Sequence, residues 1–193
     1  MQRSLEVEFK TLLTKEEYER LANMFKGSHT DIQTNHYFDT NRFSLKALDS
    51  SLRVRERESL ELTLKKKKGY AMQEYTLPIT EEMFESIKTT GTVPDSELKN
   101  ELSPLIGEQK LFNFLSLSTK RMYTQYKKGI LFLDKSTFCG VTDYELEYEA
   151  RNYIDGKKEF IELIYDLQIQ YKKSEKKVQR AFKAYKTRKK AGN

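Results

Sequence analysis

Cysteine is almost missing from these 193 residues, and the single Cys139 excludes both a disulfide framework and a cysteine-built zinc cage within one chain. A reducing compartment is the expected home, with Cys139 as a packing residue. Glycine and proline are also scarce, at 8 and 3, against twelve tyrosines and eleven phenylalanines, which argues against a disordered or low-complexity chain. No run of about 18 apolar residues occurs, and the opening MQRSLEVEFK lacks the apolar centre of a signal peptide. A soluble, cytoplasmic protein with no membrane partner is therefore expected. A Walker-type glycine loop is absent too, so any bound phosphate must be held by side chains.

What the sequence has in excess is charge. Charged residues make up 33%, where about 25% is usual, and hydrophobic residues only 37%. The length suits one domain, residues 1–193, with a sizeable core. The net charge of +6 is uneven: residues 172–190 hold ten Lys or Arg and one Glu, leaving 25 basic against 28 acidic residues before them. The body is thus slightly acidic, and nucleic acid is not the expected partner.

Residues 3–11 alternate as a strand, with Leu5, Val7 and Phe9 opposite Glu6, Glu8 and Lys10. Thr14 and Glu17 have the spacing of a capping box for a helix that carries Tyr18, Leu21, Ala22 and Phe25 up to Gly27. Residues 31–39 read as a strand, and 51–79 as several: Leu52 and Val54 oppose Arg53, Arg55 and Arg57, while Leu60, Leu62 and Leu64 oppose Glu61, Thr63, Lys65 and Lys67. Tyr75, Leu77 and Ile79 oppose Glu74 and Thr76, with Gly69 at the preceding turn. A helical insertion over about 80–110 follows, capped by Thr80 and broken by Gly91, Pro94, Pro104 and Gly107. Strands are expected again at 117–127, 130–138 and 141–151, then C-terminal helices over about 157–190 that meet near Ser174. The class is mainly β (α+β), with about eight strands that suit a closed antiparallel barrel or a large curled sheet flanked by helices.

The polar faces carry the functional signal. Glu145, Glu147 and Glu149 share one strand face, and three neighbouring glutamates repel one another unless a cation sits among them. Oxygen donors of this kind suit Mg²⁺ or Mn²⁺ better than zinc. The two histidines, His29 and His36, read as ordinary structural residues. Arg53, Arg55 and Arg57, with Lys65, Lys67 and Arg121, are organised with the opposite sign. If both sets line one cavity, a chain of phosphates fits both: the basic residues pair with its oxygens and the carboxylates hold the metal that bridges them. A sheet with one wet face presents the same alternation strand by strand. Sorting one strand to glutamate and another to arginine favours the cavity.

Glu6-Val7-Glu8-Phe9-Lys10 matches the ExExK signature of the CYTH superfamily, the triphosphate tunnel metalloenzymes. His36-Tyr37-Phe38-Asp39-Thr40, Leu52-Arg53-Val54-Arg55, Leu62-Thr63-Leu64-Lys65, Glu74, Arg121, Leu133-Asp134 and Glu145-Leu146-Glu147 resemble the family's successive strand motifs, in order and over nearly the whole chain. The chain looks like the small single-domain members of Gram-positive bacteria, some of which carry an adenylate cyclase label. The resemblance implies an eight-stranded antiparallel barrel forming a tunnel. Glu6, Glu8, Asp134, Glu145 and Glu147 would hold the metal, and Lys10, Arg53, Arg55, Lys65 and Arg121 the triphosphate. Lys177-Val178-Gln179-Arg180 resembles a basic motif that family members place at the tunnel mouth, which makes Lys177 a further phosphate contact. Val178, Phe182 and Tyr185 form the stripe that would dock this helix, leaving the lysines from 186 to 190 in solvent.

The reaction implied is metal-dependent hydrolysis of inorganic triphosphate or a small organic triphosphate by in-line attack of water. Glu74 and Lys65 are the expected catalytic pair, with Glu74 orienting the water. An adenylate cyclase would use the same tunnel but needs an adenine pocket, for which only aromatics such as Tyr37 and Phe38 are at hand. A noncatalytic polyphosphate-binding module would have no need of the metal-holding glutamates.

Overall fold

In the computed structural model, residues 1–191 are described; residues 192–193 of the expected domain, and the side chains of Lys189 and Ala191, lie outside the described residues. Eight strands, β1 (Gln2–Leu13), β2 (His29–Thr40), β3 (Ser51–Glu56), β4 (Leu60–Lys68), β5 (Ala71–Ile79), β6 (Leu111–Tyr126), β7 (Gly129–Phe138) and β8 (Val141–Ala150), close into an antiparallel barrel in the order β1-β5-β4-β3-β2-β6-β7-β8. Of the two architectures open to the sequence, the barrel is adopted, and closure leaves no strand edge unpaired. The flanking helices are α1 (Lys15–Met24), α2 (Ser44–Ala47), α3 (Glu81–Thr90), α4 (Glu97–Ile106), α5 (Tyr153–Asp166) and α6 (Lys177–Ala191). Among the described residues no helix is long and apolar enough to cross a membrane. The chain forms two compact units, one of Met1–Leu5 with Thr34–Ser116, the other of Glu6–Gln33 with the residues from Leu117 on.

In the first unit, β3, β4 and β5 form a meander whose register sets Leu52 against Leu64, Val54 against Leu62, and Leu64 against Tyr75. Period-two alternation puts these side chains on one face. That face is buried under Phe84 and Ile87 of α3 and Leu98, Leu102 and Ile106 of α4. Each fully buried leucine contributes about 1.5–3 kcal/mol, so the helices of the insertion are what cover this half of the sheet. Thr80 caps α3 as expected, its hydroxyl accepting the Met83 amide at 3.2 Å. Gly91 ends α3 at φ +68°, where an added Cβ would lie 2.7 Å from the Leu111 carbonyl. Pro104 does not break the helix: it lies inside α4, two residues before its end, where its missing amide costs a single intrahelical bond. The four-residue α2 was not legible in the sequence; the Asp39 carboxylate starts it by accepting the Leu45 and Lys46 amides, each at 3.0 Å.

In the second unit, β8 is flanked by β1 and β7, with Phe9 opposite Tyr148 and Leu133 opposite Leu146. Leu13, Leu131, Leu133, Leu146 and Tyr148 are covered by Tyr18 and Leu21 of α1, by its C-cap Phe25, and by Phe160, Leu163 and Ile164 of α5. The capping box forms as expected: the Glu17 amide donates to Thr14 Oγ1 at 3.1 Å and the Thr14 amide to Glu17 Oε2 at 2.6 Å. Gly156 allows α5 to rest on β8, since a Cβ there would fall 2.3 Å from Ala150 Cβ and 2.8 Å from the Phe9 ring. Gly156→Ala should therefore cost about 1–3 kcal/mol through overpacking, seen as a lower urea midpoint; an unchanged midpoint would mean that the helix does not rest there.

Three boundaries differ from expectation. The strand placed at 117 starts at Leu111, because Phe112 and Phe114 make its outer face apolar as well and hide the alternation; their rings meet Phe43 at 6.0 and 5.6 Å. Helix α5 starts at Tyr153 rather than near Lys157, capped by Asn152, whose side chain accepts the Asp155 amide at 2.9 Å. Nor do the C-terminal helices meet at Ser174. Residues 167–176 are non-helical, and the Lys172 amide donates to Thr11 Oγ1 at 2.8 Å, so this segment satisfies its backbone on β1 instead.

Candidate active site

On β8, Glu145 and Glu147 project from the face opposite Leu146 and Tyr148, away from the helix-covered core, whereas Glu149 on the same face is exposed. Register brings Asp134 of β7 beside Glu145, Arg121 of β6 beside Asp134, and Lys10 of β1 beside Glu147. Asp134 follows strict alternation, on the face shared with Phe132 and Ser136. Asp134 and Glu145 are completely buried and Glu147 is 7% exposed. Glu6 and Glu8 are half-buried on β1.

Cations of the chain are interleaved with these acids. Arg121 donates from Nε to Asp134 Oδ1 at 2.7 Å and from Nη2 to Asp134 Oδ2 and Glu147 Oε2, both at 2.5 Å, with its guanidinium 4.2 Å from the Phe132 ring centroid. Lys10 pairs with Glu8 and stands 3.9 Å from Glu147. Lys177, the first residue of α6, reaches Asp134 at 2.5 Å, Glu145 at 3.4 Å and Glu147 at 3.5 Å. Arg180, one turn on, binds Asp143 at 2.8 Å and Glu145 at 3.0 Å, and Ser174 donates to Glu145 at 2.6 Å. Asp143 and Ser174 were missed from the sequence. Asp143 continues the period-two acidic run of β8 and could have been found; Ser174 carries no signal.

These contacts settle how buried charge survives. Burial opposes ionisation of Glu147, but Lys177, Arg121 and Lys10 outweigh it and hold its carboxyl well below the usual range. For Glu145, burial and the neighbouring Glu147 charge push the pKa up. Burial works against the charged forms of Lys177 and Arg121 as well; Asp134 and Glu147 reverse this and raise both. The repulsion expected among the β8 glutamates is thus relieved by side chains of the same chain.

The first unit carries a separate cluster. Arg53 and Arg55 of β3 and Lys65 of β4 project opposite Leu52, Val54 and Leu64, each half-buried. Glu74 of β5 lies opposite Lys65 in register and 2.6 Å from its Nζ, and 3.8 Å from Arg53. Arg55 stands 3.9 Å from Glu61. Burial would raise the Glu74 carboxyl, but Lys65 and Arg53 pull it below its ordinary value. Arg57 and Lys67 are exposed, and pair with Glu61 at 3.4 Å and Asp49 at 3.0 Å. The expected phosphate contacts are therefore divided: Arg53, Arg55 and Lys65 stand with Glu74, whereas Lys10, Arg121 and Lys177 stand among the carboxylates. The histidines are structural in their contacts: His29 stacks on Tyr123, and His36 bonds Ser116 at 2.8 Å and Glu56 at 3.1 Å. On α6, Ala181 and Phe182 are buried and Val178 and Tyr185 half-buried, while Lys186 and Lys190 are exposed.

Among the described residues, no group of three or more histidine, cysteine or acidic side chains is disposed to hold a metal ion as folded. Ammonium and guanidinium groups of Lys10, Arg121, Lys177 and Arg180 stand against these acids. In kind, the donor set fits a hard divalent cation, because Glu8, Asp134, Glu145 and Glu147 offer only carboxylate oxygens from three adjacent strands.

The model of the CYTH domain matches residues 4–182. A Bacillus subtilis protein named "Putative triphosphatase YjbK" is 32% identical over 187 residues, covering 94% of this chain and 96% of that one. A crystal structure from Bacillus halodurans, described as a "putative adenylate cyclase", is 32% identical, covers 94% of this chain and all of its own, and superposes with a TM-score of 0.88. The Hippeastrum protein HpAC1, described as having a dominant triphosphatase activity, superposes at 0.71 over 95% of both chains; at 19% identity that likeness concerns the fold alone.

Proposed function

The chain belongs to the CYTH domain family, and from that premise we propose that it is a cytoplasmic, metal-dependent triphosphatase acting on inorganic triphosphate or a small organic triphosphate inside its barrel. The observation that carries this reading is the sorting of charge on the strand faces that the helices leave uncovered. Arg53, Arg55 and Lys65 concentrate positive charge on one set of strands, and Glu145, Glu147 and Asp134 bury carboxylates on another. Basic side chains concentrated at period two on neighbouring strands match the oxygens of a polyanion, with which Arg and Lys form charge-assisted hydrogen bonds.

In this reading Arg53, Arg55 and Lys65 hold the terminal and bridging phosphate oxygens and neutralise the charge that grows on them during in-line displacement, the main source of catalysis in phosphoryl transfer. Lys10, Arg121 and Lys177 are assigned as further phosphate contacts on the strength of the family motifs they occupy. Mg²⁺ or Mn²⁺, held by Glu6, Glu8, Asp134, Glu145 and Glu147, would supply further charge neutralisation on the phosphate oxygens. The neighbouring cations hold the Glu74 carboxyl below its ordinary value and make it a weak base, so it orients the attacking water by accepting its hydrogen bond rather than its proton, and it pairs with Lys65 at the same time.

A phosphate-release screen over inorganic triphosphate, thiamine triphosphate and ATP, with Mg²⁺, Mn²⁺ or EDTA, tests the proposal. Orthophosphate release that requires metal is the expected result. Cyclic AMP and pyrophosphate from ATP would replace hydrolysis by cyclisation. Tight polyphosphate binding with no turnover on any substrate would make the chain a binding module.

A further inference from the structure

The carboxylates assigned to the metal already enclose a cation. Lys177 Nζ stands 2.5 Å from Asp134, 3.4 Å from Glu145 and 3.5 Å from Glu147, so acids from two strands converge on one nitrogen. A magnesium ion draws its oxygens to about 2.0–2.1 Å, which leaves no room for an ammonium among the same three groups. The two positive charges would also repel at short range in a poorly screened place. One of them must leave.

Lys177 is the cation built to leave. Arg121 is fixed on β6 by a two-pronged contact to Asp134 and by the Phe132 ring, and the ammonium of Lys10 pairs with Glu8 and stands 3.9 Å from Glu147. Lys177 instead opens α6, directly after the non-helical residues 167–176, and a lysine is a point charge on a flexible stem without a fixed fork of donors. Its withdrawal breaks no strand pairing.

We propose that Lys177 is a tethered competitor of the divalent cation: in the metal-free chain its ammonium closes the carboxylate site, and the ion enters as Lys177 leaves for the phosphates of the substrate. The inference rests on the triphosphatase reading above. It has a thermodynamic consequence, because metal and triphosphate both favour the state with Lys177 withdrawn. Each must then strengthen the binding of the other, by the same factor.

Mn²⁺ binding in the absence of substrate, followed by the electron paramagnetic resonance signal of the free ion, tests this on the wild type, Lys177→Met and Lys177→Gln. The variants should bind about tenfold more tightly or better, since wild-type affinity is reduced by the fraction of molecules with Lys177 withdrawn. Saturating Mn²⁺ should also speed amide hydrogen exchange in the first turn of wild-type α6. Equal or weaker Mn²⁺ affinity in folded variants overturns the proposal while leaving metal-dependent hydrolysis standing. If the variants do not fold, unchanged exchange in the wild type overturns it alone. Absence of Mn²⁺ binding by every protein, together with metal-independent phosphate release, instead removes the metal from the proposed function and Lys177's role with it.

Discussion

Arg121→Met is expected to destabilise the protein by about 3–5 kcal/mol, the cost of removing one partner from a buried ion pair. The guanidinium makes three hydrogen bonds to two acids, one completely buried and the other nearly so. Methionine keeps much of the volume and the contact with Phe132 but removes the Arg121 ion pair of Asp134 and leaves the one with Lys177. Arg121→Lys should recover part of the loss, because an ammonium supplies the charge without the fork that reaches both Asp134 oxygens. Adding Asp134→Asn to Arg121→Met should recover part of it by another route, by removing the stranded charge. Urea unfolding of the four proteins measures this; a loss below about 1 kcal/mol in Arg121→Met would show that solvent reaches the cluster and that its charges are not truly buried.

The architecture was legible wherever one strand face was apolar and the other charged. Leu52, Val54, Leu62 and Leu64 against Arg53, Arg55 and Lys65 marked the strands; from the register they adopt, a shift of one residue would bury the arginines against α3 and α4. Legibility failed where that contrast vanished. Phe112 and Phe114 pack outside against Phe43 while Leu111 and Leu115 are buried on the other face, so the start of β6 carries no alternation. Residues 167–176 failed for a different reason: their helix-compatible composition is overruled by hydrogen bonds to Thr11, a residue far away in the chain. The site divides in the same way. Which residues are ionisable and which face they share follows from period two. Which cation meets which acid depends on strand order and on where α6 enters, and a one-dimensional pattern contains neither. That is why Lys10, Arg121 and Lys177, grouped with the phosphate contacts by motif, stand among carboxylates in the folded chain.

Arg53→Ala should lower kcat/KM for the triphosphate by about 10- to 150-fold, the equivalent of about 1.5–3 kcal/mol for one hydrogen bond to a charged group. The ion pair of Glu74 with Lys65, at 2.6 Å, remains in the variant. Glu74→Gln separates the two parts given to that residue. If Glu74 only fixes Lys65, the loss falls mainly on KM; if it also orients the water, kcat falls as well. The pH profile provides an independent reading. The Glu74 carboxyl lies below its ordinary value, so its stabilising contact with Lys65 is complete above the usual carboxylate range and is lost only as pH falls through that lowered value. The acid limb of kcat in the wild type should therefore lie below the usual carboxylate range, and Glu74→Gln, having nothing to protonate there, should flatten it. An acid limb that is unchanged in Glu74→Gln would assign the limb to another group and leave Glu74 as a purely structural counter-ion of the basic strands.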